Sequence, residues 1–130
     1  MAKKSTKGPK KVLVVDDDPL VLRILRDRLV EAGFLVTTTS SAFGAIQMIE
    51  EQVPDVVIID VMLPALPGNR IAAIVRERMG HKGVKILLYS GKEAGELEEL
   101  AIEAKADAWM VKSDDYEGLV EEVRSLAGKK

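Results

Sequence analysis

Short runs of Val, Ile and Leu alternate along the chain with longer stretches whose apolar residues recur every three or four positions. The runs are Val12–Val15, Val56–Ile59 and Val84–Leu88, with weaker versions at Phe34–Thr39 and Ala108–Val111. Near-continuous apolar runs of this length predict strands buried on both faces. The stretches between them predict helices. Leu22, Leu25 and Leu29 share one face of the first, with Arg23, Arg26 and Arg28 off it. Ile46, Ile49 and Val53 mark the second, Ile71, Ile74 and Val75 the third, Leu97, Leu100 and Ala101 the fourth, and Leu119, Val123 and Leu126 the fifth.

The punctuation agrees. Asp18 before Pro19 reads as an N-cap followed by proline at the first helical position. Gly33 reads as the stop of that helix. Ser40 or Ser41 caps the second helix, and Asp114 or Asp115 the fifth. Gly80 and Gly83 bracket the turn before the fourth strand. Five strand–helix units in succession imply an α/β fold with a doubly wound, five-stranded parallel sheet covered on both faces. Right-handed crossovers leave few topologies, and strand order 2-1-3-4-5 is one of them.

Composition narrows the class without changing the fold. The chain has 130 residues, 47% of them apolar, enough for one domain with a real core. No apolar run approaches the roughly 20 residues that span a bilayer. The start, MAKKSTKGPK, has no apolar segment of a secretory signal. Cysteine is absent, which excludes disulfides and thiolate metal sites and fits a cytoplasmic location. The net charge of −2 conceals an asymmetry. Lys3, Lys4, Lys7, Lys10, Lys11, Lys129 and Lys130 lie at the two ends, leaving 12 basic against 21 acidic residues in 12–128. An acidic body is a poor surface for a phosphate backbone. Residues 1–10 read as a basic, disordered tail, 11–127 as the domain, and 128–130 as a short basic C-terminal tail.

In an open parallel sheet, ligands sit beyond the carboxyl ends of the strands, where the strand order reverses. For order 2-1-3-4-5 that point lies between strands one and three. Strand one ends in Asp16, Asp17 and Asp18, strand three in Asp60, strand four in Ser90 and Gly91, and strand five in Lys112. Helix capping accounts for Asp18 alone. Asp16 and Asp17 facing Asp60 would repel one another unless a cation neutralised them. Oxygen donors without His or Cys point to Mg²⁺, with Mn²⁺ or Ca²⁺ as alternatives. Beside a metal, Asp60 is a candidate nucleophile for a phosphoryl group, and Lys112 a candidate ion-pair partner. Capping of the next turn would also account for Asp60. Ser90 could donate to a phosphoryl oxygen or serve as a turn residue before Gly91.

VLVVDDDP, VVIIDVMLPALPG, ILLYSG and WMVK stand in the order and spacing of one family. Together they resemble the receiver domain of two-component response regulators, of the single-domain type, over residues 11 to 127. Pro64 and Gly68, four and eight residues beyond Asp60, strengthen the match. The resemblance implies a flavodoxin-like three-layer sandwich. It implies Asp60 as phosphoacceptor and Asp17 as a direct Mg²⁺ ligand, with Asp16 acting directly or through water. The Met62 backbone carbonyl would be a further ligand. Ser90 would be the switch hydroxyl, Lys112 the lysine that contacts the phosphoryl group, and Trp109 an aromatic that swings inward on activation. Ordinary packing at a strand edge is the other reading of Trp109.

Two positions depart from the family pattern. Ser113 stands where proline is usual after the lysine, and Gly91 where alanine is commoner. The first leaves the loop path before the fifth helix open, including whether the Lys112–Ser113 peptide is cis. The second leaves more room above Asp60.

The function implied is a phosphorelay switch. A histidine kinase or histidine phosphotransfer protein donates to Asp60 with Mg²⁺ bound. The output is expected through protein contact at the face of helix four, strand five and helix five, since no DNA-binding module is evident. Slow self-catalysed loss of the phosphoryl group is expected, without enzymatic turnover of a separate substrate. A pseudo-receiver that is never phosphorylated, or a piece of a larger regulator or hybrid kinase, would share most of these features. A flavin carrier is disfavoured because acids, not a glycine-rich phosphate loop, follow strand one. His81 reads as a solvated loop residue. The run Glu93, Glu96, Glu98, Glu99 and Glu103 reads as a solvated helix face or a partner surface.

Overall fold

The computed structural model describes residues 8–80 and 83–128. Lys3, Lys4, Lys7, His81, Lys129 and Lys130 therefore lie outside the described residues. Elements alternate without exception: β1 (Lys11–Val15), α1 (Pro19–Glu31), β2 (Leu35–Thr39), α2 (Ala42–Gln52), β3 (Val56–Ile59), α3 (Gly68–Met79), β4 (Lys85–Ser90), α4 (Ala94–Ala104), β5 (Ala108–Val111) and α5 (Tyr116–Ala127). The strands form one parallel sheet in the order β2-β1-β3-β4-β5, one of the few that right-handed crossovers leave for five strand–helix units. The fold is a flavodoxin-like α/β sandwich.

Side chains alternate across a strand, and here that alternation sorts the core into two layers. Leu13, Val15, Val57, Ile59, Ile86 and Leu88 pack toward α2, α3 and α4. Val12, Val14, Val56, Ile58, Leu87 and Tyr89 pack toward α1 and α5. The central strands β1, β3 and β4 are buried on both faces, which is why they read as unbroken apolar runs. The edge strands β2 and β5 have solvent on one side and are only partly buried, which is why their patterns are weaker.

Most helix punctuation falls where the sequence places it. Asp18 accepts from the Leu20 N–H, with Pro19 opening α1. Ser41, not Ser40, caps α2 through the Gly44 N–H, and Asp115, not Asp114, caps α5 through the Gly118 N–H. Gly33 follows the end of α1 with φ +102°, a conformation side chains disfavour.

Three expectations shift. The fourth strand begins at Lys85 rather than Val84 and continues through Tyr89 and Ser90, so Ser90 belongs to the sheet. Phe34 lies outside β2. Val53 is not on the core face of α2: it ends that helix in a left-handed conformation, φ 45°, and is 41% exposed. Pro54 follows it, and a residue before proline is displaced from helical geometry.

Candidate functional site

The β1–β3 ladder builds the site. The Asp60 N–H donates to the Val15 carbonyl at 3.0 Å, one step beyond the paired strands. That bond fixes the backbone of Asp60 beside the end of β1, where Asp16 and Asp17 follow. On the other side, the Lys112 N–H donates to the Ser90 carbonyl at 2.8 Å and ties the end of β5 to the end of β4. The sheet's own hydrogen bonding thus carries four chain-distant residues to one rim.

Carboxylate oxygens of Asp16, Asp17 and Asp60 lie within 4.8 Å of one another. Asp16 and Asp60 are buried, and Asp17 is exposed. Lys112 Nζ bridges the two buried acids, at 2.7 Å from Asp16 Oδ2 and 3.1 Å from Asp60 Oδ2. Asp16 Oδ1 accepts from the Asp18 N–H at 2.9 Å, and Asp60 Oδ1 from the Met62 N–H at 3.0 Å. Burial pushes the Asp16 carboxyl above its ordinary range, against the opposing pull of its bond to Lys112. Burial alone would lower Lys112, but its bonds and attraction to Asp16, then Asp60, outweigh that and hold its ammonium above the ordinary value.

These residues suit a divalent cation of the hard, oxygen-seeking kind. Three carboxylates against one ammonium leave two negative charges. Opposite ligands of an octahedral Mg²⁺ stand roughly 4 Å apart, so oxygens that all lie within 4.8 Å of one another can share one ion with a small adjustment or an intervening water.

The loop after Asp60 is shaped by close approach. A Cβ on Gly68 would stand 2.0 Å from the Asp60 carbonyl oxygen and 2.7 Å from Ile59 Cγ2, so only glycine fits. The Gly68 N–H donates to the Val61 carbonyl at 3.0 Å, folding the start of α3 back against the phosphoacceptor candidate. Between them, Ala65 holds φ +69° while the Leu66 N–H reaches the Pro64 carbonyl at 2.7 Å, a three-residue turn with positive φ.

The other expected residues stand nearby, with one exception. Ser90 is fully buried at the end of β4, and its Oγ accepts from the Lys92 N–H at 3.4 Å. Met62 places its side chain in solvent, 57% exposed, and its amide against Asp60. Gly91 is exposed, but a Cβ there would meet nothing within 4 Å, so an alanine would occupy open space without obstruction. Trp109 is not in the cluster. It pairs with Leu88 in the ladder and packs half-buried against the α2–α3–α4 layer. No cis peptide occurs among the described residues. Sequence reasoning missed Tyr89, whose hydroxyl donates to the Ser113 carbonyl and whose ring centre lies 5.9 Å from Lys112 Nζ, because an aromatic inside an apolar run reads as core.

A profile of the response regulator receiver domain matches residues 12–124. The chain belongs to the family of response regulator receiver domains, the phosphoacceptor signalling modules of two-component systems. It is 35% identical over 101 residues to the transcriptional regulatory protein KdpE of Mycobacterium tuberculosis, covering 78% of this chain and 43% of that protein. Among solved structures it resembles the response regulator TrrA of Thermotoga maritima in complex with Mg(2+)-BeF, at 31% identity and TM-score 0.80, covering 90% of this chain and 98% of that one. It also resembles the chemotaxis response regulator CheY4 of Vibrio cholerae, at 26% identity and TM-score 0.83, covering 91% and 98%. The chain spans about half the length of the transcriptional regulators it matches. Among the described residues, no helix is long and apolar enough to cross a membrane.

Proposed function

We propose that residues 11–127 form a phosphorylatable switch domain in which Asp60 accepts a phosphoryl group from a phosphohistidine on a kinase or phosphotransfer protein. The observation that carries this is the cluster of Asp16, Asp17 and Asp60 carboxylates with Lys112 bridging two of them. An Asp60 oxygen attacks phosphorus, the bond from phosphorus to the imidazole nitrogen breaks, and the leaving imidazole keeps that electron pair. The product is an acyl phosphate on Asp60.

Asp16, Asp17, Asp60 and the Met62 carbonyl would hold Mg²⁺, which supplies charge neutralisation for the transferring oxygens. Manganese would satisfy the same donors. Lys112 already touches Asp60, so a phosphoryl group there would find an ammonium within reach. Ser90, at the end of the neighbouring strand, would give up its bond to the Lys92 amide and donate to a phosphoryl oxygen. The loop carrying Gly91 and Lys92 would follow it. The altered surface would lie on α4, β5 and α5, with Trp109 at its base, and the output would pass to a protein partner there.

The test is incubation with Mg²⁺ and either acetyl phosphate or beryllofluoride. Wild type should gain one phosphoryl group by intact mass with acetyl phosphate, and its Trp109 fluorescence should change with either reagent. Asp60→Asn should do neither. A wild type indistinguishable from Asp60→Asn would leave a pseudo-receiver, whose acids serve structure.

A further inference from the structure

Tyr89 is a buried polar side chain with no part in the chemistry above. It precedes Ser90 on β4 and faces the other layer, toward α1 and α5, with 4% of its surface exposed. Two contacts set it apart from a core filler. Its hydroxyl donates to the Ser113 carbonyl at 3.4 Å, and Lys112 Nζ lies 5.9 Å from the centre of its ring. A phenol is an O–H donor at neutral pH, and burial pushes its value further up. A leucine could fill the same space but could neither face an ammonium with a π-surface nor hold the next peptide.

Both contacts converge on the Lys112–Ser113 pair. The lysine side chain is long and rotatable, and holding it in one conformation has an entropic cost. Its tip has a choice of partners, because Asp16 at 2.7 Å is nearer than Asp60 at 3.1 Å. Neither acid constrains the stem or the backbone after it. Tyr89 adds a further contact to the ammonium and one to the peptide after it, from the opposite face of the strand that carries Ser90. We propose that Tyr89 is a positioning residue for Lys112: its ring faces the ammonium and its hydroxyl holds the following peptide, so that the ammonium stays shared between Asp16 and Asp60. The proposal rests on the reading of Asp60 as phosphoacceptor and Lys112 as its cationic partner. The hydroxyl contact is long for an O–H donor, so the ring carries the larger share.

The experiment compares wild type, Tyr89→Leu, Tyr89→Phe, Lys112→Ala and Tyr89→Leu/Lys112→Ala. The maximal rate of Asp60 phosphorylation by acetyl phosphate is read by intact mass at saturating Mg²⁺. Tyr89→Leu should lower it about fivefold, the size of one partly desolvated cation–π contact. Tyr89→Phe should lose less, and the Mg²⁺ Kd should not move. In the Lys112→Ala background, Tyr89→Leu should have no further effect, since the two changes remove one interaction. A wild-type rate for Tyr89→Leu, or an equal loss with and without Lys112, would overturn the proposal in favour of simple packing. If Tyr89→Leu does not fold, Tyr89→Met, which also lacks the ring, decides in the two backgrounds on the same terms. Proton exchange of the Lys112 ammonium, followed by NMR in metal-free protein, reads positioning without phosphorylation. It should quicken severalfold in Tyr89→Leu. Unphosphorylated wild type with that quickening would remove the phosphoacceptor reading and keep the tether; no quickening would remove the tether.

Discussion

Acids stand at both rims of the sheet, and their surroundings differ. At the amino rim, Asp55 accepts from the Lys11 amide at 2.7 Å, while Lys11 Nζ donates to the Gln52 carbonyl. Asp107 accepts from the Ile86 amide at 2.7 Å and from Arg76. Arg76 also donates to the carbonyls of Val84 at 2.8 Å and Lys105 at 2.9 Å, and its side chain is 9% exposed. At the carboxyl rim, three carboxylates share one ammonium. The same residue types fasten one end and leave a charge deficit at the other. Hydrogen bonding is concentrated at the amino rim, and the carboxyl rim gathers like charges that repel one another.

The largest effect should come from unfastening the amino rim. Arg76→Ala leaves two carbonyls and Asp107 short of a donor, and should cost about 3 kcal/mol in urea unfolding while Mg²⁺ affinity is unchanged. Next is Gly68→Ala, which forces a Cβ into the Asp60 peptide. It should cost about 2 kcal/mol and, unlike Arg76→Ala, also weaken Mg²⁺ binding, read by Trp109 fluorescence.

Removing charge from the carboxyl rim should act with the opposite sign. Asp16→Asn should stabilise the metal-free protein by about 1 kcal/mol at neutral pH and lose Mg²⁺ binding. The pH dependence follows from the raised Asp16 value. The folded state holds that proton more tightly than the unfolded chain, whose ordinary value is 3.8. Its contribution is fully present below 3.8 and is lost as pH rises through the folded value. The advantage of Asp16→Asn should therefore grow with pH in metal-free thermal melts and disappear when Mg²⁺ is added. Lys112 is raised as well, so its contribution is complete below its ordinary 10.5 and is lost at higher pH, in a step that Lys112→Met should lack. The smallest effect should be Ala65→Gly. It relieves a positive φ in the loop after Asp60 and should raise stability by about 0.5 kcal/mol in the same melts.

The two rims were not equally legible in the sequence. Asp16, Asp60, Ser90 and Lys112 each follow an apolar run directly, and Asp17 follows Asp16, so strand alternation alone carried them to one end. The central strands were plain because both their faces are buried. Arg76 could not be read in the same way. It lies on a helix where arginine ordinarily faces water, and its partners are carbonyls and an acid 31 residues away. Val53 fits the apolar face of α2 by spacing, yet the turn into Pro54 takes it out of the helix. Gly68 was legible as part of a loop, but the need for glycine lies in an approach to Asp60 that spacing does not reveal. Trp109 lies close in sequence to Lys112 and away from the acids in space, because two steps along β5 separate its pairing with Leu88 from the end of the strand.

Ser90 and Tyr89 are consecutive and face opposite layers of the sandwich. The end of β4 therefore addresses both halves of the molecule with adjacent letters of the sequence. A codon inserted or deleted within β4 ahead of them would exchange the two, placing the hydroxyl of the serine among the α1–α5 side chains and the phenol on the α4 side. Substitutions along this strand can be graded in their effects, but changes in its length cannot.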